Sequence, residues 1–333
     1  MALIAPRKTL TLAFLIASPI TYFLLQGYAY RLQFSAIPLL FGVQILLSDS
    51  LEGFLTEKAG YMTRWFTLLI APGTILHEIS HLTAAKLTGC NITSVRLFSP
   101  NPKTGVLGYV SYTQPQDRWT VFREVIIGFA PFFGCGAILL AVNTLYGGEL
   151  TNMITRHPLS NVGPVLDFMK NTAYSLLKTS ANMNLENLSG WILIYLQMCF
   201  SVGAAPSTQD FKSTLSSFKK NIISAALFLS CAVSAVLLSQ QHFDLGQYTE
   251  TLADSVGILL SAATLILTLS TITLTASIPV AYVGAKIAKT KTAKKLLPLL
   301  LAAVTYIIFG KITTTEYSLA GAVLVFFVMY LKR

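Results

Sequence analysis

Apolar residues in this chain fall in long unbroken stretches, not in the alternating or helical periodicities of a water-soluble fold. Stretches at 9–30, 65–86, 121–146, 190–205, 221–239, 256–287, 296–309 and 319–331 approach or exceed the roughly 20 residues a helix needs to cross a hydrocarbon layer about 30 Å thick. A shorter stretch, 37–47, is open between a crossing and a re-entrant or interfacial segment, and is read here as re-entrant. Stretch 9–30 is too long for a cleaved leader and lacks a small-residue cleavage site before the next polar segment, so it is expected to stay as a helix. The pattern predicts an all-α polytopic membrane protein of about eight or nine transmembrane segments.

Two polar segments interrupt the apolar ones. In 91–118, Ile92, Val95, Leu97, Val106, Tyr109, Ser111 and Tyr112 surround the turn-forming Ser-Pro-Asn-Pro-Lys-Thr-Gly at 99–105, which predicts a small β-hairpin. Within 147–189, residues 162–177 have the spacing of an amphipathic helix expected to lie on the membrane surface.

Composition sharpens this picture. Hydrophobic residues make up 53% of the 333 positions and charged residues only 11%, against about 25% charged in an ordinary soluble domain. The net charge of +10 does not point to nucleic acid, because the basic residues flank apolar stretches instead of decorating a folded polar domain. Their distribution orients the chain. The side on which 65–86 ends collects Lys86, Arg96, Lys103, Arg118, Arg123, Lys212, Lys219, Lys220 and the lysines of 286–295, while the opposite side receives Arg156, Lys170, Lys178 and Lys311. By the positive-inside bias the first side is cytoplasmic. Arg7 and Lys8 join it only if 37–47 does not cross. Cys90, Cys135, Cys199 and Cys231 form no Cys-x-x-Cys pair, so neither a disulfide framework nor a cysteine zinc site is expected.

Candidate chemistry lies inside stretch 65–86, which contains His77-Glu78-Ile79-Ser80-His81. Histidines four apart share one helix face, so both imidazoles can bind one Zn2+. Glu78 can then serve as general base toward a zinc-activated water. Ionisable groups at membrane depth are costly and mark function. Catalytic zinc usually takes three protein ligands. His157, His242 and the Glu250/Asp254 pair fall on the opposite side of the membrane by the count of spans. The metzincin continuation is absent, with Ala84 and Leu87 where it needs Gly and His. Asp210 falls on the right side, just beyond stretch 190–205, and Pro206 would turn the chain back toward the site.

This set resembles the site-2 protease family of intramembrane zinc proteases. The counterparts are His77 to His81, the hairpin in 91–118, Gly128-Phe-Ala-Pro131-Phe-Phe-Gly134, and Pro206 to Asp210. Ala130 stands where the family has Gly before Pro, Phe211 where it has Gly after Asp, and no Asn precedes Pro206. The resemblance implies N-terminal membrane segments (1–64), a catalytic core (65–212) and a C-terminal bundle (213–333). It further implies one Zn2+ on His77, His81 and Asp210, Glu78 as catalytic base, a membrane-spanning protein as substrate, and a multi-pass place in the cell membrane with the site toward the cytoplasm. A zinc-transporting protein and a silent helix-binding scaffold are the alternatives. The first should show further ionisable residues along a path to the other side, and the second has no need of Glu78.

Overall fold

The computed structural model describes residues 4–26, 28, 30–58, 70–100, 107–146, 149–154, 162–182, 188–205, 208–239, 247–289 and 321. Among these the chain is mostly helical, with one two-stranded antiparallel sheet. Stretch 296–309, stretch 319–331 apart from residue 321, His157, His242 and Pro206 lie outside the described residues.

The first stretch becomes α1 (Ile4–Leu24), and α2 (Arg31–Lys58) packs along it. Stretch 37–47 sits inside one continuous 28-residue helix. Some of the polar residues along that helix are buried. Gln33 and Gln44 are fully enclosed, and Gln44 Nε2 donates to Ser270 Oγ at 2.6 Å.

Helix α3 (Ala71–Leu87) carries both histidines. Pro72 lies in its first turn, where a missing N–H costs nothing, so it starts the helix and does not kink it. The helix stops at Gly89, whose φ of 76° lets Gly89 N–H reach Lys86 O and Cys90 N–H reach Ala85 O, at 3.1 and 2.9 Å. That closure turns the chain into the hairpin.

Strands β1 (Asn91–Arg96) and β2 (Tyr109–Thr113) pair as expected, with Ile92 opposite Tyr112, Val95 opposite Val110 and a bulge between Ile92 and Ser94. Beyond lie α4 (Thr120–Leu145), a 3-10 turn (Leu150–Met153), α5 (Val162–Asn182), α6 (Leu188–Ala204), α7 (Thr208–Lys220), α8 (Ile222–Ser239) and α9 (Gln247–Lys289). The expected amphipathic helix is α5.

Helices α3, α4 and α6 pack against one another pairwise, α7 lies on α4, and α9 crosses α2 and α6. The closest crossing is α3 on α6, where a Cβ at Gly73 would collide with Cys199 O and one at Gly203 would lie 2.6 Å from Gly73 O. Backbones meet this closely where small residues face each other. The main core joins Leu40 and Phe41 of α2 to Phe132 and Leu139 of α4 and to Leu265 and Leu269 of α9. Among the described residues, two segments are long and apolar enough to cross a membrane unaided, Thr120–Leu145 and Asp254–Ala276. Shorter apolar helices occupy Thr11–Leu24, Arg31–Leu47, Ser189–Ala204 and Ile222–Ser234.

Candidate metal centre

The four-residue spacing places His77 and His81 one turn apart on α3, with ring centroids 4.8 Å apart. Their Nε2 atoms are 3.1 Å from each other. Asp210, in the first turn of α7, faces both: Oδ1 is 3.2 Å from His81 Nε2 and Oδ2 is 3.5 Å from His77 Nε2. One ligand atom from each of the three residues lies within 4.8 Å of the others.

The other ring nitrogens decide what this arrangement can hold. His77 Nδ1–H donates to Gly203 O on α6 and His81 Nδ1–H to Ile127 O on α4, each at 2.8 Å. A carbonyl oxygen only accepts, so both Nδ1 atoms carry a proton, and it is Nε2 that presents a lone pair when the ring is neutral. Two lone pairs at contact distance, turned toward a carboxylate, repel unless positive charge lies among them. Two imidazole nitrogens and a carboxylate oxygen are a donor set for a divalent metal such as zinc, and backbone partners on Nδ1 are the usual outer support of such ligands. His77, His81 and Asp210 could hold a metal ion.

Glu78 is buried, with 7% of its surface exposed. The hairpin closes over it at Gly108, where a Cβ would lie 2.8 Å from Glu78 Cγ and 2.7 Å from Leu97 O. Only a residue without a side chain lets the strand approach there. Asp210 is seated by its neighbour. Phe211 enters an aromatic cluster with Phe14, Phe41 and Phe129, at ring-centroid distances of 5.1, 6.2 and 6.1 Å. Phe211 thus anchors α7 to α1, α2 and α4.

The Gly128–Gly134 segment lies within α4, whose Pro131 is buried, and a Cβ at Gly134 would collide with Ser80 Oγ of α3. Asp254, on α9, does not join the metal group among the described residues, and the Glu250 side chain lies outside them.

Sequence reasoning missed the carbonyls of Gly203 and Ile127, which carry no residue-type signal. It also passed over Glu124, the one acidic residue in stretch 121–146, although a lone carboxylate in an apolar run is itself a signal. Here, then, is a mostly helical chain with apolar helices and a His-His-Asp group able to take a metal ion. Compared with known proteins, it matches no protein-family model, no curated protein and no solved structure.

Proposed function

We propose that this chain is an intramembrane zinc metalloprotease with one Zn2+ held by His77, His81 and Asp210. The observation that carries the reading is the convergence of Asp210 on two paired Nε2 atoms from a helix more than a hundred residues away in sequence, with Glu78 buried beside them. Zinc bound there supplies the Lewis acidity that makes water nucleophilic at neutral pH.

The chain's own residues do the rest. The Glu78 carboxylate accepts the water proton and returns it to the departing amide nitrogen. Gly203 O and Ile127 O hold the imidazoles in one tautomer, so their orientation is set before substrate arrives. The substrate is a membrane-spanning protein, which must lose helical hydrogen bonds before a peptide bond can enter the site.

Exposed apolar side chains support the membrane setting. Leu12, Ile16, Ile20 and Phe23 on α1, Ile126 and Phe133 on α4, and Ile222, Ile223, Leu229 and Val233 on α8 are all exposed, more apolar surface than water tolerates on a monomer. Eight or nine segments cross, α2 being the ninth, with Lys212, Lys219 and Lys220 of α7 in the cytoplasm.

Elemental analysis of detergent-purified protein tests the reading. Near-stoichiometric zinc is expected in the wild type and in Glu78→Gln, and loss of zinc in His77→Ala and Asp210→Ala. Cleavage of a transmembrane substrate should be abolished in all three variants. A wild type without zinc refutes the proposal, and zinc unaltered by Asp210→Ala removes the third ligand.

A further inference from the structure

The carboxylate of Glu124 has no role in the chemistry above, yet it is 7% exposed and receives three hydrogen bonds. Gln114 Nε2, just past β2, donates to Oε1 at 2.7 Å. Ser213 Oγ on α7 donates to Oε2 at 2.9 Å, and Tyr112 O–H on β2 to the same oxygen at 3.2 Å. Burial, and then this carboxylate, push the Tyr112 phenol up, so it remains a donor across neutral pH. A buried carboxylate is costly unless its lone pairs are filled. Offsetting that cost is the plain role of these bonds, but their placement goes further.

Ser213 follows Asp210 by three residues and so lies one turn along the same face of α7. Glu124 lies on the turn of α4 that supports the rest of the site. Ile127 O takes His81 Nδ1–H, and a Cβ at Gly128 would lie 2.8 Å from Thr214 Oγ1 and 3.9 Å from Asp210 O. Residues 124–128 therefore hold one histidine ligand and the helix of the carboxylate ligand together. Arg123 continues the brace, with Nε donating to Thr88 O at the end of α3 at 3.1 Å.

We propose that Glu124 is a positioning residue of the metal site, setting Asp210 through Ser213 and the hairpin over Glu78 through Tyr112 and Gln114. The inference rests on the metal-site reading and deepens it. Such supports outside the ligand shell typically cost 10–100-fold in metal affinity when removed.

The test is zinc affinity of the full-length, detergent-purified chain, by competition with a chelator of known affinity, for wild type, Glu124→Ala, Glu124→Gln, Ser213→Ala and the Glu124→Ala/Ser213→Ala double variant. Cobalt-loaded samples report ligand geometry through their visible absorption. Glu124→Ala is expected to weaken binding about 10–100-fold and to change the cobalt spectrum, with a smaller loss in Ser213→Ala. Because the effect on Asp210 runs through Ser213, Ser213→Ala should add little to Glu124→Ala, whereas unrelated losses would add in full. Should Glu124→Ala not fold, Glu124→Gln and Ser213→Ala carry the same comparison. Wild-type affinity and cobalt spectrum in the variants, or losses that multiply in the double variant, overturn the inference alone. A wild type that binds neither zinc nor cobalt overturns the metal reading, and this inference with it.

Discussion

At the scale of single residues, the site is aligned by groups that a sequence does not name. His77, Glu78 and His81 were legible because a four-residue repeat has one meaning on a helix, and Asp210 because it follows an apolar stretch that returns to the same side. Their tautomers were not legible. They depend on which carbonyl faces each ring, and that is a property of tertiary register, since every residue carries the same carbonyl. Asp117 makes the same point away from the metal group. Its carboxylate accepts both arms of Arg123, Nη1 at 2.7 Å and Nη2 at 2.9 Å, and Trp119 N–H at 2.8 Å. The guanidinium first, then the backbone N–H, hold this carboxyl below its ordinary range. A depressed folded pKa adds stability above the unfolded carboxylate value of about 4, and that stability is lost as pH falls through the folded value. Asp117→Asn should therefore melt slightly lower than wild type at pH 7, with the gap closing below about pH 4. Melting curves in detergent at both pH values check this, and a gap that persists in acid refutes it. The effect is small, because the pair is solvent-exposed and screened.

At the scale of elements, the balance between helix length and apolar stretch explains what pattern reading got right and where it stopped short. Stretch 121–146 nearly coincides with α4 because nearly every residue in it is apolar. Stretch 37–47 covers less than half of α2, because polar residues such as the enclosed Gln33 stay within the helix where polarity counts as a break. Side-chain hydrogen bonds between membrane helices average only about 0.6 kcal/mol, so the bond from Gln44 to Ser270 adds little to the contact of α2 with α9. Helix contact depends instead on backbone approach. Gly203 joins packing to the site, since a methyl there meets Gly73 O at 2.6 Å and Cys135 Sγ at 3.2 Å, and the carbonyl of Gly203 orients His77. Gly203→Ala should lose roughly 1–3 kcal/mol by overpacking, partly offset by up to about 1 kcal/mol of helix propensity, and should also weaken zinc binding. Gly134→Ala should cost less, because the atom it meets is the rotatable Ser80 hydroxyl. Unfolding in SDS titrations read by circular dichroism ranks the two, and a Gly203→Ala variant as stable as wild type would show that α3 and α6 are free to separate.

For the whole molecule, continuity of α2 bears on the multi-pass arrangement proposed above. Twenty-eight residues rise about 42 Å at 1.5 Å each, enough to cross a hydrocarbon layer of about 30 Å even when tilted. If α1, α2, α3, α4 and α6 cross while α5 lies on the surface, the passages between Lys8 and Lys212 are odd in number and the two residues face opposite sides. Arg7 and Lys8 then sit on the non-cytoplasmic side, against the positive-inside bias, but they are outnumbered by Lys212, Lys219, Lys220 and the lysines of 286–295. The sharper expectation is thus a beginning of α1 outside and an α7 inside. Single cysteines at positions 8 and 212, in a background with Cys90, Cys135, Cys199 and Cys231 replaced, can be probed in intact cells with a membrane-impermeant maleimide. Labelling is expected at 8 and, until the cells are opened, not at 212. Equal protection of both would mean that α2 lies along the membrane or dips into it, and that Arg7 and Lys8 keep company with the other basic residues on the cytoplasmic face. In neither case does the side of Asp210 change, because α7 is tied to α4 and α3 by Glu124 and the two histidines, so the metal site stays on the face that carries Lys212.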